Sequence, residues 1–369
     1  MNLINHTPFA AELTTRHDGQ GRECLLLVVK ATYALPAHRS VPAIAAVQQP
    51  IHFADTATGE PGRSAPVYES DLCPPKPRVD VLLIGSAYAP RGQPADRVPV
   101  GLAVGDMRKG FVVTGPRHWA HGVMGQPLSA PQPFVRQAIG YDIAFGGTLP
   151  GDAPGAADQV FDANPVGRGF RPAARWPEHT PGPQTEETHA PIASAQGRYA
   201  PMAFGPLGRH WLPRRSHAGT YDDAWRERRY PFLPEDFDPR YFQATPEDQQ
   251  LPALRGGETV RLLNLCPPTH TAQDLLEFTL PDLSLPVRLH GRSGVEAPTP
   301  VADTLLIEPD AQRFSITWKV DRPLGNDPYR FHRVEVGERP KGLLVRIPLE
   351  VLAGELPSRQ GLQGPGGRI

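Results

Sequence analysis

Apolar positions along the chain cluster in short runs instead of recurring at helical spacing. Cys24–Tyr33, Val79–Ala89, Val98–Gly105, Gly110–Thr114 and Phe134–Phe145 lie in the first part, and Glu258–Cys266, Leu275–Leu280, Leu285–His290, Thr304–Glu308, Arg313–Val320, Tyr329–Val336 and Leu343–Pro348 in the last. Each run is bounded by turn formers and predicts a strand. Val81-Leu-Leu-Ile84 is continuously apolar, which suits a strand buried on both faces or a short helix. Arg313–Val320 alternates, placing Phe314, Ile316, Trp318 and Val320 on one face. Asp106–Gly110 reads as the loop of a hairpin between Val98–Gly105 and Gly110–Thr114.

The centre has a different pattern. From Gly146 to about Arg198, breakers outnumber apolar residues and predict long loops. Residues 199–242 then carry 10 of the chain's 28 aromatics. Thr220-Tyr-Asp-Asp reads as a short helix start with Thr220 as N-cap, and Thr245-Pro-Glu-Asp puts proline at the first helical position. These patterns divide the chain into an N-terminal β region (1–145), a central region rich in proline, glycine and aromatics (146–255), a C-terminal β region (256–355) and a tail expected to fray (356–369). The expected fold class is mainly β: two strand-rich, sandwich- or barrel-like regions joined by an irregular, aromatic-anchored centre with a few short helices.

Composition supports this reading. Proline (45) and glycine (36) fill 81 of 369 positions, which excludes helical bundles, coiled coils and helical solenoids. The 38 basic and 39 acidic residues nearly cancel, so the footprint of a nucleic-acid binder or membrane-surface protein is missing. Only 5 of the basic residues are lysine; the 33 arginines fit planar, multi-donor hydrogen bonding or a GC-rich codon bias equally well. No apolar run approaches the roughly 18 residues of a membrane span. The start, Met1-Asn-Leu-Ile-Asn-His-Thr-Pro-Phe9, lacks a secretory signal pattern. Cys24, Cys73 and Cys266 are widely spaced and read as reduced thiols, with Cys24 and Cys266 inside strands. A cytoplasmic location without membrane insertion is expected.

Signatures of catalysis are sparse. P-loop, zincin, EF-hand and nucleophile-elbow motifs are missing, and Ser293 in Gly291-Arg-Ser-Gly294 lacks the flanking spacing of a nucleophile turn. His118-Trp-Ala-His121 has the spacing of two metal ligands on a helix but follows Gly115-Pro116, so a loop pair with Trp119 as packing anchor is the preferred reading. The carboxylates from Asp222 to Asp238 could supply a glycosidase acid and base, yet the arginines among them favour ion pairing. Gly167-Arg-Gly169 fits an anion nest or, preferably, a tight turn locked by aromatics. No cofactor or metal is expected.

A set of motifs recurs in a recognisable order: Gly115-Pro-Arg-His-Trp119, Tyr141-Asp-Ile-Ala-Phe-Gly-Gly147, Asn164-Pro-Val-Gly-Arg-Gly-Phe170, Phe204-Gly-Pro-Leu-Gly-Arg-His-Trp211 with Arg214-Arg215, Ala218-Gly-Thr-Tyr-Asp-Asp-Ala-Trp225, Arg229-Tyr-Pro-Phe-Leu-Pro-Glu-Asp-Phe-Asp238, Arg240-Tyr-Phe242 and Ala244-Thr-Pro-Glu-Asp-Gln-Gln250. From about Pro8 to Pro309 the chain resembles the type VI secretion effector adaptor family, a domain family encoded beside spike and effector genes. The resemblance implies a non-enzymatic cytoplasmic adaptor or chaperone. Its partners would be a secretion effector carrying a PAAR domain and the VgrG spike onto which that effector is loaded. It supplies no residue map. The motif positions Arg117, Trp119, Tyr141, Phe145, Asn164, Arg168, Phe170, Trp211, Arg214, Tyr221, Asp222, Trp225, Asp236 and Phe237 therefore stand as candidates for partner binding or structure. Trp211 and Trp225 are expected to be buried, which leaves the loops near Asn164 and residues 171–198 as contact surfaces. The alternatives are a carboxylate-based carbohydrate-active hydrolase centred on Asp236 and a structural component retained in the secretion apparatus.

Overall fold

A computed structural model describes residues 1–119, 128–151, 153, 155–171, 179–325 and 327–339. Residues Met1–Gly337 form one compact unit. The predicted strand Leu343–Pro348, the tail 356–369 and His121 lie outside the described residues.

The principal strands are β1 (Asn2–Asn5), β2 (Ala10–His17), β3 (Glu23–Ala34), β4 (Val79–Leu83), β5 (Gly85–Tyr88), β6 (Arg97–Val104), β7 (Met107–Thr114), β8 (Arg136–Ile139), β9 (Thr259–Leu263), β10 (Leu275–Thr279), β11 (Val287–Gly291), β12 (Gly294–Glu296), β13 (Val301–Glu308), β14 (Arg313–Pro323) and β15 (Phe331–Val336). A six-stranded sheet runs Gln250–Leu251, β4, β13, β14, β3, β2; a five-stranded sheet runs Thr185–Glu186, β7, β6, β9, β10; and a four-stranded sheet runs β1, β15, β11, β12. The fold is mainly β, and no sheet among the described residues closes into a barrel. Strands from the first and last parts of the chain share single sheets. β13 pairs in parallel with β4, and β14 pairs with β3 over eleven positions, Arg313↔Ala34 to Pro323↔Cys24.

The main core lies between the inner faces of these sheets. Leu25, Leu27 and Val29 of β3, together with Phe314, Ile316, Trp318 and Val320 of β14, meet Val98, Val100 and Leu102 of β6 and Val260 and Leu262 of β9. Fully burying one such side chain contributes about 1.5–3 kcal/mol. Cys24 and Cys266 are buried as expected, and burial pushes the Cys266 thiol up to about 12.

Several local expectations need correcting. The β6–β7 loop is two residues, Gly105-Asp106, instead of Asp106–Gly110, because β7 already begins at Met107 opposite Val104. Val79–Ala89 breaks into β4 and β5, and Phe134–Phe145 is interrupted: Phe134 bridges to Ala95, Arg136–Ile139 pairs with β5, and Phe145-Gly146 pairs with Arg168-Gly169. The central helix α1 (Leu212–Arg215) has no predicted counterpart, and α2 (Asp223–Arg228) is capped by Asp222, not Thr220. Thr220 donates instead to Asp236, from its N–H at 2.9 Å and its hydroxyl at 2.7 Å.

Behind the six-stranded sheet lies a buried polar layer. Lys30, Thr317, Thr304 and Asp80 stand opposite one another in a row across four strands. Lys76 Nζ reaches Asp80 Oδ2 at 2.7 Å, Lys319 Nζ reaches Asp303 at 3.0 Å, and Lys30 Nζ reaches Asp71 at 2.8 Å. Burial alone would raise the Asp80 pKa, but Lys76 and hydrogen bonds from Thr245 and Ala244 hold it below the ordinary value; Asp80 and Asp303 in turn keep Lys76 charged against its own burial.

Candidate docking surface

The candidate residues fall into two groups. The first is a buried lattice. Arg117 is buried; its Nε donates to Pro183 O at 2.6 Å and its Nη2 to Glu186 Oε2 at 2.7 Å. The Trp119 indole, fully buried, donates to Gly169 O at 3.1 Å. Asn164 is also fully buried and links two motifs, donating from Nδ2 to Tyr141 O at 2.8 Å and to Phe145 O at 3.1 Å. Arg168 Nε donates to Asp142 O at 2.8 Å, and Phe170 packs edge-on to Phe145 at 6.3 Å between ring centres.

Gly146 shows why this lattice needs glycine. It sits at φ +150°, and a Cβ there would stand 2.2 Å from Asn164 O. Gly167-Arg-Gly169 differs from the expected tight turn: Gly167 is closely packed, a Cβ there standing 2.4 Å from Asn164 Nδ2, and Arg168-Gly169 pairs in parallel with Phe145-Gly146. Asn164, expected at a contact surface, is inaccessible.

Trp211 and Arg214 extend the lattice. Trp211 is 1 % exposed and packs edge-on to Tyr141 at 5.1 Å. Arg214 is buried, ion-pairs with Glu69, and donates to Leu207 O at 2.9 Å and from Nη2 to Tyr241 O at 2.8 Å.

Glu186 ties the lattice to pH. Burial pushes its pKa up, but the hydrogen bond and charge of Arg117, the Ile192 N–H and Arg97 outweigh this and bring it below the ordinary value. A lowered folded pKa contributes stability that is complete above the unfolded value of about 4.3 and is lost as pH falls through the folded one. Denaturation curves from pH 6 to pH 3 are expected to show steep loss below about pH 4. Glu186→Gln should flatten that dependence while lowering stability at pH 6; an unchanged slope would refute the assignment.

The second group is exposed and contiguous. Tyr221 is 53 % and Tyr230 68 % exposed, with the half-buried Trp225 between them at ring-centre distances of 4.7 and 5.7 Å. The expectation that Trp225 is buried is therefore corrected. The Asp222 carboxylate accepts the Trp225 N–H at 2.8 Å, and the Trp225 indole donates to Phe232 O at 2.8 Å.

Phe232 packs on His17 at 5.6 Å and fills the space beside Gly21, where φ +77° and a ring atom 2.9 Å from a hypothetical Cβ require glycine. Arg229 bonds to Gly19 O and to Leu233 O, fastening this segment to the β2–β3 turn. Between them opens a cleft of about 890 Å³, lined by Arg16, Leu72, Cys73, Arg229, Phe237 and Phe242 among others.

Four carboxylates between Asp222 and Asp238 have local partners. Asp222 caps α2, Asp223 pairs with Arg226, Asp236 accepts from Thr220, and Asp238 accepts from Arg240 Nε at 2.8 Å.

Fold and surface together define a mainly β protein with a fixed buried scaffold and an aromatic, cleft-bearing face. The family model described as "Uncharacterized protein conserved in bacteria (DUF2169)" matches residues 20–319, and the chain belongs to that family. No curated protein and no solved structure matches it.

Proposed function

We propose that this chain is a protein-binding adaptor that receives its client on the face formed by Tyr221, Trp225, Tyr230 and the adjoining cleft. In the reading that the ordered motifs favour, the client is a type VI secretion effector carrying a PAAR domain, held in the cytoplasm and passed to the VgrG spike. The observation that carries the proposal is the aromatic triad beside a cleft that mixes apolar side chains such as Leu72, Phe237 and Phe242 with the arginines Arg16 and Arg229, an arrangement suited to interface anchors. The local partners of Asp222, Asp223, Asp236 and Asp238 support a structural use of these carboxylates over a hydrolytic one.

Co-expression with the product of a neighbouring effector gene, followed by pull-down, tests the proposal. A complex is expected, and Trp225→Ala with Tyr230→Ala should weaken it at least about 10-fold, the scale of an aromatic hot spot. Unchanged affinity in that variant would move the site elsewhere. No complex, with effector solubility and secretion unchanged in a deletion strain, would end the adaptor reading.

A further inference from the structure

β2 is an edge strand with an open outer side. It pairs with β3 in unbroken register from Ala10↔Lys30 to His17↔Glu23, and no backbone group of any other described residue bonds to these eight positions. The five-stranded sheet protects its edge differently: on β10, Glu277 O accepts the Arg39 N–H at 2.6 Å and the Glu277 N–H donates to His38 Nδ1 at 3.2 Å. β2 contains no proline, lysine or bulge, the usual devices against edge-to-edge pairing. Its backbone is a template for another strand.

The side chains specify which strand. β2 reads Ala-Ala-Glu-Leu-Thr-Thr-Arg-His. When two copies meet antiparallel about a two-fold axis through Thr14, Glu12 of each faces Arg16 of the other, Leu13 faces Thr15, and Thr14 faces itself. Continuing the same sheet face across the axis requires even positions to oppose even positions. Shifting the register one way places Glu12 opposite Thr14, and shifting it the other way places Glu12 opposite Asp18, carboxylate against carboxylate. Only the register centred on Thr14 matches both charges. Within the chain, Arg16 is steered by Asp321 on β14, and its guanidinium carries five donors. The Glu12 carboxylate makes no ion pair or hydrogen bond among the described residues.

We propose that the chain forms a two-fold dimer by pairing β2 with β2 of a second copy, which makes the two six-stranded sheets continuous. This is independent of the adaptor reading and requires no client. Opposite-charge and Thr–Thr cross-strand pairs each add modest stability, and a junction of seven β2 residues per strand, Ala11 to His17, is small, so the dimer is concentration-dependent rather than obligate.

Sedimentation equilibrium of the full chain over a range of concentrations is the test, with a monomer–dimer equilibrium as the expected result. Glu12→Arg places arginine opposite arginine twice and should raise the dimer dissociation constant at least about 10-fold. Mixing Glu12→Arg with Arg16→Glu chains restores opposite charges at both pairs and should yield heterodimers in native mass spectrometry. Because Arg16→Glu also meets Asp321, a second variant stands beside it: Thr14→Cys is expected to oxidise to a disulfide-linked dimer, since paired α-carbons lie about 4.5–5.5 Å apart. The three native cysteines are buried, and Val295→Cys, 58 % exposed on β12, serves as the control that stays monomeric. A monomer at every concentration, a dimer insensitive to Glu12→Arg, or equal cross-linking of both cysteine variants would overturn the proposal. So would β2 amides that gain exchange protection only when a client protein is added.

Discussion

Asp80→Ala is expected to cost most of the stability of the folded chain. The carboxylate is fully buried and accepts five hydrogen bonds: from Lys76 Nζ at 2.7 Å, Gln243 Nε2 at 2.9 Å, Ala244 N at 2.8 Å, Thr245 N at 3.1 Å and Thr245 Oγ1 at 2.6 Å. Its removal leaves Lys76 without its nearest counter-charge and two backbone N–H groups without acceptors. Breaking one side of a buried ion pair costs about 3–5 kcal/mol, against a total stability of about 5–15 kcal/mol for a typical domain. Urea denaturation should show a large drop in midpoint, or the protein should be recovered unfolded. Adding Lys76→Met should restore only part of the loss, because Ala244 N and Thr245 N still lack Asp80. Full recovery in the double variant would mean that the ion pair, not the backbone clamp, is what Asp80 supplies.

The second large effect is expected at Trp211. Trp211→Ala removes a buried indole from the cluster with Tyr141, Ala144, Ala203 and Leu207 and should cost about 3–5 kcal/mol. Trp211→Phe should be far milder, because the indole N–H has no hydrogen-bond partner among the described residues. Trp225→Ala, at a half-buried site, should leave the denaturation midpoint nearly unchanged while lowering affinity for the client. The two tryptophans thus separate scaffold from surface, and equal destabilisation by both alanine variants would refute that division.

The strands were legible because the outer sheets carry period-two or continuously apolar runs. Phe314, Ile316, Trp318 and Val320 face the core as their alternation predicts. What the pattern hid is the opposite face of the same strand. Ser315, Thr317 and Lys319, on the other face of the alternation, are buried, with Thr32 bonding to Ser315 and to Gln49 N, and Cys73 reached by Lys319. Polar residues on an alternating strand carry the same signature whether they meet water or other polar groups. A signal was available in Lys30, Asp80, Asp303 and Lys319, charges flanked on both sides by apolar or β-branched strand residues or alanine, where an unpaired charge would be costly. The central motifs were visible as a set, but their roles were not: Asn164 and Trp225 exchange the burial expected of them, Asn164 because it binds the carbonyls of Tyr141 and Phe145 about twenty residues away, and Trp225 because its cap and ring contacts are all local.

The polar layer also fixes how the outside of the protein can be altered. Lys30, Lys76, Lys109 and Lys319 are all at least nine-tenths buried. The permanently charged side chains that the described surface presents to solvent as cations are therefore arginines, whose charge persists to about pH 12 and is not removed by acetylation. Reagents or enzymes that seek amines should find almost nothing to modify on the folded unit, and rapid amine labelling at these four positions would report that the layer has opened.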